Sequence, residues 1–237
     1  MKALFFSPKR LFFALVLGMA AMLLCCAPAG AEEAEEDAPS GMAFTVYSAQ
    51  GEPRTELFYE VCASAHATAC VSAHAVDEAT ARELLDGFEQ NVCPKLAAPS
   101  AMGERKLMVL LTCMEGQVYG YTPFPQPRQG PMICLNALYP EALPYALAHE
   151  YQHLCAYDAC GAGGTALSEE TDELLSDVFC EELFPDWGLE HGVLSEERAR
   201  IAREALGRWG ADAVAHAHDL LREGYRAEEL LLAMENR

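Results

Sequence analysis

An α+β fold is predicted for this chain: a small mixed sheet packed on one helix, followed by a helical C-terminal part. Three observations predict it. The first half carries short apolar runs bounded by turn residues, and the second half carries longer stretches with helical spacing. Between them, Tyr145 to Tyr157 runs without an internal glycine or proline. That window contains the pentapeptide His149-Glu150-Tyr151-Gln152-His153.

The elements follow in chain order. Met1-Lys2, the pair Lys9-Arg10, an apolar run from Leu11 to Leu24 and the small residues Ala27 to Ala31 make a secretory signal over residues 1–31. Ala29 and Ala31 suit cleavage after Ala31. An uncleaved anchor helix and a lipoprotein acylated at Cys25 or Cys26 are the alternatives. Residues 32–43 are acidic and rich in Ala, Pro and Ser, as a disordered leader would be. An N-terminal α+β part follows over residues 44–144, and the helical part over residues 145–237.

Phe44 to Tyr47, Leu57 to Cys62, Lys106 to Cys113 and Met132 to Leu135 read as strands, with Cys70 to Ala75 a weaker one. Met132 to Leu135 is the expected edge strand. Asp77 caps a helix whose apolar stripe is Ala81, Leu84, Leu85 and Phe88. Four prolines make Tyr119 to Pro131 a loop. Glycines at 161, 163 and 164 end the central helix, and Ser168 caps a second one running to about Phe184. Ser195 to Trp209, Ala211 to Arg222 and Ala227 to Met234 are further helices, broken at Gly210 and Gly224.

Composition narrows the partners. The formal charge is −20 over 237 residues. Without Lys2, Lys9 and Arg10, thirteen basic residues face 36 acidic ones, a charge of −23. Such an acidic surface argues against nucleic acid and against membrane contact beyond the signal segment. The expected address is secreted, periplasmic or cell-envelope. Eight cysteines remain after residue 31: Cys62, Cys70, Cys93, Cys113, Cys134, Cys155, Cys160 and Cys180. An even number in an exported chain reads as up to four disulfide bonds, with buried free thiols the alternative for Cys113 and Cys134. No CxxC pair occurs, which disfavours a cysteine zinc site.

Histidines four apart on a helix share a face and can grip one ion, while Glu150 is offset to reach a water on it. HExxH arises by composition alone in roughly one chain in a hundred of this length, so the downstream residues decide. A catalytic zinc takes three protein ligands and keeps one position open. Glu173 lies twenty residues beyond His153 across the Gly-rich turn, and Glu170 is a rival for the same role. Asp177, one turn past Glu173, is placed to accept the spare ring N–H of a ligand histidine, His149 for preference. Tyr157, His191 and Tyr225 are candidate oxyanion stabilisers, along with His216 and His218. His66 and His74 sit in Ala/Ser-rich sequence without partner spacing and read as surface residues.

HExxH followed by a distant E-x-x-S-D resembles the glutamate-zincins, a group that includes thermolysin. Phe88 to Leu96, Lys106 to Cys113, Val118 to Tyr121, Leu135-Asn136-Ala137 and Ala148 to His153 are together similar to the hyicolysin-type neutral metallopeptidases, over roughly residues 57–184. That family typically carries Trp-x-Asn-Glu-Gly at its third ligand; here Thr171 and Asp172 precede Glu173 and Leu174 follows it. The resemblance implies a zincin-like fold, one catalytic Zn²⁺ held by His149, His153 and Glu173, Glu150 as general base, and a protein or peptide substrate. A non-catalytic zincin-fold binding protein and a zinc hydrolase of another amide or ester are the alternatives.

Overall fold

A computed structural model describes residues 41–236 except 49, 74, 101, 103, 104, 117 and 125–129. The signal segment, most of the leader and His74 lie outside the described residues. Among the described residues six strands form one sheet: β1 (Met42–Tyr47), β2 (Pro53–Ala63), β3 (Ala67–Ser72), β4 (Leu107–Thr112), β5 (Gly120–Tyr121) and β6 (Met132–Asn136). Their spatial order is β1-β2-β3-β4-β6-β5. β3, β4 and β6 are parallel, while β1, β2 and β5 pair antiparallel, so the sheet is mixed as expected. β1 starts two residues inside the expected leader, because Met42 and Ala43 already pair with Phe58 and Leu57.

Strand alternation sends side chains to two different cores. Leu107, Val109 and Leu111 of β4, with Ile133 and Leu135 of β6, face the helices. Leu110 and Cys134 face the other side, beside Phe44, Val46, Phe58, Cys70 and Met132. Among the described residues no helix contributes a buried residue to that second cluster, yet its members are at most 5% exposed. The sheet curls onto itself instead. Tyr47, on β1, donates its backbone N–H to the Tyr121 hydroxyl on β5 at 3.0 Å, and the two rings meet edge to face. The outermost strands of the sheet thus touch.

Among the described residues there are seven α-helices: α1 (Glu78–Gly87), α2 (Leu143–Gly163), α3 (Glu169–Leu183), α4 (Trp187–Glu190), α5 (Glu196–Trp209), α6 (Ala213–Arg222) and α7 (Ala227–Glu235). Asp77 caps α1 and Ser168 caps α3, each accepting a backbone N–H in the first turn. α1 crosses between the parallel strands β3 and β4, then loosens into a π-turn at Phe88–Val92. α2 runs through Gly161 and Gly163, which were expected to break it. A Cβ on Gly163 would lie 1.8 Å from the Leu221 carbonyl oxygen. Glycine there lets α6 close against α2, and the helix stops only at Gly164, whose φ is 65°.

Two expectations need correction. β6 is not the edge, because β5 pairs outside it (Gly120 with Leu135, Tyr121 with Cys134). Two residues inside a proline-rich loop carry too little periodicity to read as a strand. The eight cysteines are all free thiols, seven of them buried. Cys62 packs in the helix-side core and Cys70 in the opposite one. Cys70 and Cys134 share a face but align with the same Leu110 from either side of β4. Two strand spacings, about 10 Å, exceed what a disulfide spans. Among the described residues no helix is long and apolar enough to cross a membrane; the run Leu11 to Leu24 lies outside them.

Candidate metal centre

α2 is buried on nearly every side, so its few accessible positions stand out. From Tyr145 to Ala156 only His149 and His153 are less than buried, and Tyr157 is exposed one turn later. These three residues, four apart, form one open strip along the helix. His149 Nε2 and His153 Nε2 point at each other across 3.1 Å. Two nitrogens on one tetrahedral zinc, each at ~2.05 Å, would stand about 3.3 Å apart.

α3 supplies the carboxylate. Glu173 Oε1 lies 3.6 Å from His153 Nε2, and Oε2 lies 3.8 Å from His149 Nε2. One ligand atom from each of His149, His153 and Glu173 falls within 4.8 Å of the others. Glu170 is exposed and does not join that group. The residues present fit a divalent ion with three protein donors, and the register of α3 brings Glu173 rather than Glu170 to it.

The carboxylate that orients a histidine is a different one from that expected. Asp172 Oδ2 accepts the His153 Nδ1 proton at 2.9 Å, which turns the Nε2 lone pair toward His149 and Glu173. Asp177 instead takes a guanidinium: Arg198 on α5 donates Nε and Nη2 to its two oxygens, each at 2.8 Å. Asp177 is buried, at 3% exposure, and Arg198 reaches in to neutralise it. The same Nη2 donates to Glu173 Oε2 at 2.8 Å, so Arg198 ties the candidate ligand to its neighbour and leaves Oε1 toward His153.

These contacts set the protonation states. Burial, the His153 ring and Arg198 hold His149 well below the ordinary histidine range. Burial opposes protonation of His153 too, but the Asp172 hydrogen bond and the Glu150, Asp172 and Glu173 charges win and push it up to about 9. A metal must displace that proton to bind. Glu150 is 8% exposed, and burial raises its carboxyl against the opposing pull of His153 and Thr122. The Thr122 hydroxyl donates to Glu150 Oε2 at 2.9 Å. Just upstream, a Cβ on Gly120 would sit 3.2 Å from Glu150 Cγ and 2.9 Å from a Leu135 methyl. Only glycine lets the edge strand β5 run this close to the carboxylate.

The candidate oxyanion residues scatter. Tyr157 lies on the open strip, its ring packed on Phe124 at 4.5 Å. His191 stacks on Trp187, which stacks on Tyr145 one turn before His149. The Tyr225 carbonyl accepts from Thr165, past the far end of α2. Ten residues separate His153 from Gly163 there, ~15 Å of helix, so Tyr225 is not brought to the site. His216 is half-buried on α6, and His218 is buried behind α2 against Gln152, where burial lowers it to about 3. Asp172, Arg198 and Thr122 escaped the sequence reading. Asp172 alone offered a signal, as a carboxylate beside Glu173. No protein-family model matches this chain, and a search of curated proteins returns no match.

Proposed function

We propose that this chain is an exported zinc-dependent metalloendopeptidase of the glutamate-zincin kind, with a zincin-like arrangement of sheet and helices. The observation that carries the reading is the convergence of His149, His153 and Glu173 beside a buried, hydrogen-bonded Glu150. The donor set, two imidazoles and a carboxylate, suits zinc, which would supply Lewis acidity to a carbonyl and acidity to water. His149, His153 and Glu173 hold the ion, Asp172 fixes the His153 tautomer, and Arg198 fixes the Glu173 carboxylate. Glu150 takes a proton from the attacking water and returns it to the leaving amine. Its raised affinity for protons, a consequence of burial, suits that exchange. An extended peptide would add alongside β5, whose Gly120, with Thr122 just past the strand, flanks Glu150. Tyr157 and His191 remain the candidates for steadying the oxyanion. Seven of the eight thiols are buried, where deprotonation is disfavoured, and those seven are compatible with an exported address.

The test is zinc content and cleavage of casein or a peptide library by the purified protein and its Glu150→Gln variant. The expected result is cleavage by wild type and a loss of about 10²–10⁴-fold in the variant, with zinc retained by both. Zinc without cleavage by wild type would point to a non-catalytic binding protein. Cleavage undiminished in Glu150→Gln would overturn the assigned base.

A further inference from the structure

We propose a second divalent-metal site, built from His66, Glu89 and Cys93, for a thiophilic transition metal of the zinc class. It shares no donor with the His149–His153–Glu173 cluster and does not depend on the peptidase reading. The imidazole, the carboxylate and the thiol each offer one donor, and the three lie within 4.8 Å of one another.

Three features assemble it. His66 sits in the tight turn between β2 and β3, where the Ser64 hydroxyl and backbone bond Ala67. Glu89 reaches that turn from the π-turn after α1: its Oε1 accepts the His66 backbone N–H at 2.7 Å, and its Oε2 pairs with Nδ1 at 2.8 Å. Cys93 closes the same π-turn, its N–H reaching back to the Phe88 carbonyl. Glu89 and Cys93, four residues apart, therefore face the turn together. Single π-turns recur where a helix must redirect side chains to a site.

The donors suit a metal in chemistry and in spacing. A sulfur and a nitrogen on one tetrahedral zinc stand about 3.6 Å apart, and two light donors about 3.3 Å. An ion that replaces the proton between His66 and Glu89 widens their 2.8 Å contact slightly and draws in the sulfur. The thiol releases its proton on binding, and the neutral imidazole carries its proton on Nε2, which leaves Nδ1 free to bind the ion. Half of the His66 side chain is exposed, which gives the ion an entry path and leaves a fourth position to water. Burial raises the Cys93 thiol, so without metal it stays protonated and unreactive. Its other neighbour is the Tyr151 hydroxyl, 4.0 Å away inside α2. Occupancy would pin the β2–β3 turn to the helix after α1 and rest against the HExxH helix from behind.

Cobalt distinguishes this site from the other, because only this one contains sulfur. Metal-free protein is titrated with Co²⁺ and read for the ultraviolet charge-transfer band of thiolate-bound cobalt. One equivalent of band-forming Co²⁺ is expected in wild type and in the His149→Ala/His153→Ala protein. Cys93→Ser should abolish the band, and His66→Ala should weaken Co²⁺ binding at least tenfold; His66 is exposed, so that change spares the core. Absence of the band in wild type overturns the proposal. So does its persistence in Cys93→Ser, or unchanged affinity in His66→Ala. Failure of the peptidase reading would appear as missing cleavage and would leave this band untouched.

Discussion

The His149–His153–Glu173 cluster is drawn from two packed helices, whereas His66, Glu89 and Cys93 come from a β-turn and an irregular helical turn. In the first, two donors are fixed by one helical period and only the third needs tertiary structure. In the second, the His66 to Glu89 contact spans 23 residues of sequence and owes its existence to packing of α1 on the sheet. The first is also braced: Asp172 holds one ligand and Arg198 another, and both braces are set by α3 and α5. The second has its carboxylate braced only by the turn it serves. A braced site keeps its geometry without the ion; an unbraced one gains order from it.

The comparison can be broken at Glu173. Replacing it with alanine should cost more metal affinity than the ~10–100-fold typical of an outer hydrogen-bond partner, while Glu170→Ala should change affinity little. The reverse result, measured by competition with a chelating dye, would mean that α3 sits in another register. Next in size is the division between the two aspartates. Asp172→Asn should weaken metal binding about 10–100-fold and, in metal-free protein, bring the His153 pKa down from about 9. Asp177→Asn should change metal binding little and cost about 2 kcal/mol in urea unfolding, since it removes charge-assisted hydrogen bonds from Arg198. Equal losses of metal affinity from both would erase the distinction drawn between them. The smallest effect belongs to the second cluster. In metal-free protein His66→Ala should cost under ~1 kcal/mol, as exposed ion pairs do. A larger loss in urea unfolding would show that the His66–Glu89 pair is structural in its own right.

Elements with strong local signals were legible from the residues. Asp77 and Ser168 cap the helices they were expected to cap, and the alternation of β4 and β6 follows from apolar runs that face cores on both sides. β5 was hidden in a proline-rich loop, because two residues of strand carry no period and are held there by β6. The disulfide expectation failed for a related reason: counting cysteines says nothing about which face of a sheet each one occupies, and Cys62 and Cys70 lie on opposite faces.

Sequence alone determined the HExxH pair, because a helix of 3.6 residues per turn places His149 and His153 together wherever it packs. It also offered Glu173, by distance, and left Glu170 beside it. Tertiary structure decided the rest. The packing of α3 on α2 brought Glu173 to the imidazoles and Asp172 to His153. The placement of α5 gave Asp177 to Arg198 instead of a histidine. The pairing of β5 outside β6 set Thr122 against Glu150. Side-chain contacts between elements depend on the rotation and depth at which those elements pack, and no local period in the chain encodes either.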